Sequence, residues 1–129
     1  MDSYRRLHET ANGGPVRPSA TYDCQREAFR ADQARLYGAG SKSGWCWLGF
    51  VYCYVFKNRA YYASGPSVEK NVMHALLWHA ICACQAEGLR TFEVGWVGRA
   101  TDQKGQGVEA FKRAWSGQRE PMWSVEWNR

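Results

Sequence analysis

The sequence predicts a single α+β domain, a mixed β-sheet flanked by helices. Three observations predict it. Residues 45–64 are dense in aromatic and β-branched side chains and are interrupted by Lys57-Asn58-Arg59, the pattern of paired strands around a turn. A longer segment, from Glu69 or Asn71 to Glu87, repeats apolar residues at helical spacing and is followed by a short apolar stretch at 91–94. The chain has 129 residues, 45% of them hydrophobic, which is enough for one core.

Taken in order, residues 4–10 read as a short helix, because Tyr4, Leu7 and Ala11 share a face. Asn12-Gly13-Gly14-Pro15 breaks it, and Pro18 keeps residues 16–18 extended. Thr21 or Asp23 is placed to cap a second helix running to about Gln33. These elements form an N-terminal helical segment, 1–33, ahead of a core at 34–129. The core begins with a strand at 34–39, a turn at Ser41-Lys42-Ser43-Gly44, a long strand at 45–56 and a return strand at 60–64. Gly65-Pro66-Ser67 stops the sheet. The helix that follows carries Leu77, Ile81 and Cys84 on one stripe, with Trp78 and Cys82 beside it, and Gly88 at its C′ position. After the strand at 91–94, residues 95–107 are glycine-rich and polar and read as a loop. Val108, Phe111, Ala114 and Trp115 then have the spacing of a last helix, ended by Gly117, and 122–127 alternates as a final strand.

The net charge of +5 favours an anionic partner: a nucleic acid, a phosphate-bearing cofactor or a cell-wall precursor. The basic residues are spread from Arg5 to Arg129, so a basic surface kept for solubility is the plain alternative. Mean hydropathy is −0.56, and no apolar run nears the roughly 18 residues of a membrane span. Five cysteines without an apolar N-terminal leader predict reduced thiols in a cytoplasmic protein. Cys82-Ala83-Cys84 lacks the spacing of a zinc half-site, so no metal is expected. Seven tryptophans are more than so small a core can enclose, which puts some in a groove or an interface.

The element order, with Ala60-Tyr61-Tyr62-Ala63-Ser64-Gly65 leading to His74-Ala75-Leu76-Leu77-Trp78-His79-Ala80-Ile81, resembles the GNAT superfold. In particular it resembles the Fem-type (FemA/FemB-like) aminoacyltransferases and their acyltransferase relatives. Gly88-Leu89-Arg90-Thr91-Phe92-Glu93-Val94-Gly95 is similar to that family's helix–Gly–strand–Gly step. Asp102-Gln103-Lys104-Gly105-Gln106-Gly107, running into Phe111-Lys112-Arg113, is similar to its loop and following helix. Together the similarity spans residues 35–127. It implies transfer of an acyl or aminoacyl group to an amine. The family usually pairs two such domains, so a single one implies a homodimer.

The resemblance also implies a site. The donor would enter a gap where two parallel strands splay, here between 61–64 and 92–95, with Ser64 among the donor-binding residues and Gly65 and Gly95 allowing close approach of a backbone. Lys112 would face the groove and offer charge to a phosphate or a developing oxyanion, with Lys104 a weaker copy. Tyr61 and Tyr62 alternate across their strand, so one of them faces groove or core and can donate to a carbonyl. His74, near a helix start, is a base candidate; packing for the tyrosines and solvated positions for Lys112 and His74 are the plain alternatives. His79 is expected partly buried against the sheet, and His8 carries little. Two donors stay open, acyl-CoA and aminoacyl-tRNA, the latter making tRNA a partner beside the amine acceptor. A glycine loop for a CoA pyrophosphate would fall at 65–71, where Pro66-Ser67-Val68-Glu69-Lys70 stands instead. Gly105 and Gly107 form a partial substitute. The rival to an enzyme is a catalytically degenerate binding module, or a homodimeric structural domain, using the aromatic surface.

Overall fold

The computed structural model describes residues 1–69, 71–98, 101–115, 117, 118 and 120, with Lys104 described in its backbone alone. The chain divides into two compact units, Met1–Gly95 and Trp96–Arg129.

The first unit carries helices α1 (Asp2–Ala11) and α2 (Ser19–Arg30), strands β1 (Ala34–Gly40), β2 (Trp47–Phe56) and β3 (Arg59–Ser64), helix α3 (Val72–Ala86) and strand β4 (Thr91–Glu93). The four strands form one mixed sheet in the order β1-β2-β3-β4. The first two pairings are antiparallel; β3 and β4 are parallel, joined by α3 as a crossover. This is the α+β sheet with flanking helices that the sequence predicts.

Alternation along β2 sends its residues to two layers. Phe50 and Tyr52 meet Tyr4 and Leu7 of α1 and Tyr22 of α2 in one core. Tyr4 is wholly buried there, with the Phe50 ring at 6.0 Å and the Tyr52 ring at 5.8 Å. Val51 and Cys53 point the other way, beneath Leu76, Leu77, Ala80 and Cys84, the buried residues of α3. Helix α3 closes with Leu89 N–H on Cys84 C=O and Gly88 N–H on Gln85 C=O, the paired bonds of a Schellman motif, with Gly88 at φ 87° as expected of a C′ residue.

Several boundaries differ from expectation. Helix α2 starts at Ser19 behind Pro18, not at a Thr21 or Asp23 cap, because proline fixes φ just where the turn begins; it ends at Arg30 rather than Gln33, with Asp32 at φ 60°. Strand β2 starts at Trp47; the hairpin turn extends through Cys46, leaving Trp45 91% exposed. Helix α3 starts at Val72, and its buried stripe is Leu76, Leu77, Ala80 and Cys84; Trp78 and Cys82 face away from it, exposed. His8 is 5% exposed, its Nδ1 3.1 Å from the buried Tyr22 hydroxyl, so it belongs to the core. His79 is exposed, though its ring packs on Tyr37.

The second unit contains helix α4 (Gln103–Arg113), which starts inside the expected 95–107 loop. Asp102 marks the early start: its carboxylate accepts the Gly105 N–H as an N-cap, which offsets part of the cost of two helix glycines. The helix ends at Arg113, before Gly117. The strand expected at 122–127 lies outside the described residues.

Candidate functional site

The sheet opens at its β3–β4 edge. The two strands pair at Arg59–Thr91, Ala60–Phe92 and Tyr61–Glu93, and there the ladder stops. Strand β3 continues to Ser64, still paired on its other side with β2. The register across β2 shows how the two part. Cys53 faces Tyr62 but Tyr52 faces Ser64, so Ala63 is an extra residue, a β-bulge at the point where β4 leaves. On the far side, Gly95 takes φ 86°, a left-handed conformation that turns the chain away just after β4. Bulge and left-handed turn come where the β3–β4 pairing ends, and residues 62–64 of β3 have no paired β4 residue among the described residues.

Tyr62, Ser64 and Gly65 gather on the β3 side of this opening. Ser64 is buried. The Tyr62 ring folds back over Gly65, and a Cβ built on Gly65 would come 2.9 Å from Tyr62 Cζ, and closer still to its hydroxyl and to Met73 Cε of α3. Gly65 is therefore needed for close approach, as expected, but the group approaching it is this chain's own tyrosine. Burial, followed by the nearby Cys53 and Tyr4, pushes the Tyr62 phenol up to about 12. It keeps its proton at neutral pH and is a hydrogen-bond donor, not a base. Tyr61 is on the opposite face, 42% exposed, beside Tyr54. His74 lies in the first turn of α3 and is exposed.

The start of α3 does not fit a CoA diphosphate well. Val68 N–H is bonded to Leu48 C=O and Glu69 N–H to the Ser67 hydroxyl, so two amides of the connecting segment are already engaged, beside a carboxylate.

A second set of predicted residues comes together in the other unit. Lys112, Gly105 and Glu109 of α4 and its N-cap Asp102 line a cavity of about 360 Å³ with Trp96 and Gly98. Lys112 Nζ donates to the Trp96 carbonyl at 3.0 Å. Burial lowers its ammonium below the ordinary lysine value. Gly107 is exposed and outside this cavity. Lys104 and Gly107, expected in a loop, lie on α4 instead, and the Lys104 side chain lies outside the described residues. Sequence reasoning missed two contributors. Ala63 gives no sign of a bulge, whereas Asp102 ahead of a helical run was a readable cap.

No protein-family model matches this chain, and no curated protein matches it. Among solved structures it is similar to one described as the crystal structure of a probable acetyltransferase. The TM-score is 0.62 at 16% identity, over 98% of this chain and 85% of that one. The fold is acetyltransferase-like. At that identity the likeness is one of architecture, and it does not single out the Fem-type branch.

Proposed function

We propose that the chain transfers an acyl group to an amine, with the donor carbonyl held in the opening between β3 and β4. The observation that carries this reading is the ladder that ends at Tyr61–Glu93 while β3 runs on through a bulge. A carbonyl laid there would meet β3 beyond its last β4 pair, and main-chain N–H groups aimed at it would stabilise an oxyanion without reorganising. The amine attacks the carbonyl carbon, a C–N bond forms, the bond to the carrier sulfur or oxygen breaks, and the amine proton is released. Tyr62, protonated and at the opening, is placed to donate to the oxyanion or to the departing atom. In the second unit, the Lys112 cation faces a cavity of its own and suits an anionic group there.

The engaged amides of Val68 and Glu69 weigh against CoA and support the finer, Fem-type form of the reading, with an aminoacyl ester of tRNA as donor. The test is transfer of a labelled acyl group to a panel of primary amines from acetyl-CoA and from charged tRNA. Binding at one hundred times Kd should also stabilise the fold by roughly 2.7 kcal/mol. Tyr62→Phe is expected to lower transfer with the melting temperature little changed, and Lys112→Ala tests whether the cation of the second unit takes any part. Neither transfer nor stabilisation with either donor would remove the enzyme reading and leave a binding module.

A further inference from the structure

A second surface of the first unit has no part in this chemistry. Helices α1 and α2 cover Phe50 and Tyr52 on one face of the sheet. Beyond Tyr52 that same face runs on uncovered. Tyr54, whose ring meets Tyr52 edge-on at 5.1 Å, is 37% exposed, Phe56 70% and Tyr61 42%. The register puts them together: Tyr54 opposes Tyr61, and Phe56 opposes Arg59. Three aromatic rings thus stand side by side on a strand pair.

Their rim is mainly basic. Lys57 Nζ lies 5.4 Å from the centre of the Phe56 ring. Arg59 is held by Glu93 at 3.4 Å, both largely exposed. Arg90, exposed, is tied to the same turn by its N–H on Asn58 C=O. Around this turn, Lys57 and Arg90 stand beside the paired Arg59 and Glu93, in line with a chain charge of +5.

We propose that this face binds single-stranded nucleic acid. Rings at positions i and i+2 of a strand are roughly 6.7 Å apart. That is about twice the 3.4 Å rise of a stacked strand, and it suits bases drawn apart and laid on separate rings. A row of aromatics to stack on, with cations beside it for the phosphates, is the chemistry that single strands require and a duplex, with its bases already stacked, does not use. Glu93 is accommodated because Arg59 neutralises it. The surface stands whether or not the chain is a transferase, since it lies on the Tyr61 face of β3 and the Tyr62 side chain is on the other face.

The test is fluorescence anisotropy with labelled 12-mers of uridine and of thymidine, and a 12-bp duplex as control, using the full chain. Both single strands are expected to bind, the duplex at least tenfold more weakly. Log K should fall with log salt at a slope of about −1.4, from phosphate contacts by Lys57 and Arg90. Phe56→Ala and Tyr61→Ala should each weaken binding about tenfold with unchanged melting temperature. Equal affinity for duplex, aromatic variants that bind like the parent, or self-association abolished by Phe56→Ala would each overturn the proposal, the last by assigning the face to a second copy.

Discussion

Replacing Gly65 by alanine tests how closely the opening is built. The added Cβ would stand 2.9 Å from Tyr62 Cζ and overlap the Tyr62 hydroxyl and Met73 Cε. Met73 can yield, because it is a flexible chain ending in a methyl. The tyrosine ring is stiffer, with one strand position to hold it. Overpacking of this kind costs about 1–3 kcal/mol, or some 4 °C per kcal/mol in a chain of this size. The assay is urea unfolding of four proteins: parent, Gly65→Ala, Tyr62→Leu and the double variant. If the clash with Tyr62 dominates, Gly65→Ala should be cheaper in the Tyr62→Leu background, with a coupling of at least about 0.5 kcal/mol at constant m-value. Additive costs would show that the ring does not press on Gly65. Transfer activity should drop in Gly65→Ala by more than the unfolded fraction explains, because the donor hydroxyl is displaced.

Two further outcomes follow from other parts of the first unit. Stability should fall from about pH 9 to 12, because burial raises the Cys53 thiol from its ordinary 9.0 to about 12 and the Tyr62 phenol from 10.0 to about 12. Above pH 9 the unfolded chain gives up protons that the folded chain keeps, so the slope is negative, at most about 1.4 kcal/mol per pH unit for each group. Urea midpoints between pH 8 and 11 measure it; Cys53→Ala should make the slope shallower, and a flat parent curve would contradict the burial argument. Gly88→Ala should cost about 1 kcal/mol by thermal unfolding: nothing lies within 4 Å of the added Cβ, so the whole effect is the left-handed φ of 87°. A neutral result would mean that the Schellman turn at the end of α3 re-forms another way.

Much of the sheet was legible because its signals are local. Aromatic and β-branched residues mark β2, Lys57-Asn58 marks the turn, and Gly88 marks the end of α3. The misplaced boundaries share a cause. Trp45 has strand propensity, but the turn takes up Cys46, and an exposed tryptophan looks the same in sequence as a buried one. Asp102 turned a glycine-rich stretch into a helix start by offering one hydrogen bond. At the site, Tyr62, Gly65 and Gly95 were legible as residue types suited to an open strand. The extra residue at Ala63 was not, because a bulge is a matter of pairing counts between two strands and no single side chain requires it.

That last point bears on why the fold persists where sequence similarity does not. An opening made by ending one ladder, adding one residue to a strand and turning one glycine consists mainly of main chain. It asks little of side chains: a small residue at 65, a left-handed position at 95, and apolar residues at alternate positions of β2 to keep the sheet between its two helical layers. A chain can change most of its side chains and still satisfy these conditions, which agrees with a TM-score of 0.62 at 16% identity. The same reasoning places specificity elsewhere. If the carbonyl is held by backbone, what distinguishes one donor or acceptor from another must come from side chains around the opening, and here those are Tyr62 and the Pro66–Glu69 segment, with the Val68 and Glu69 amides already engaged. Exchange of that segment for a glycine-rich one should therefore change which donor is accepted while leaving the ladder of β3 and β4 intact.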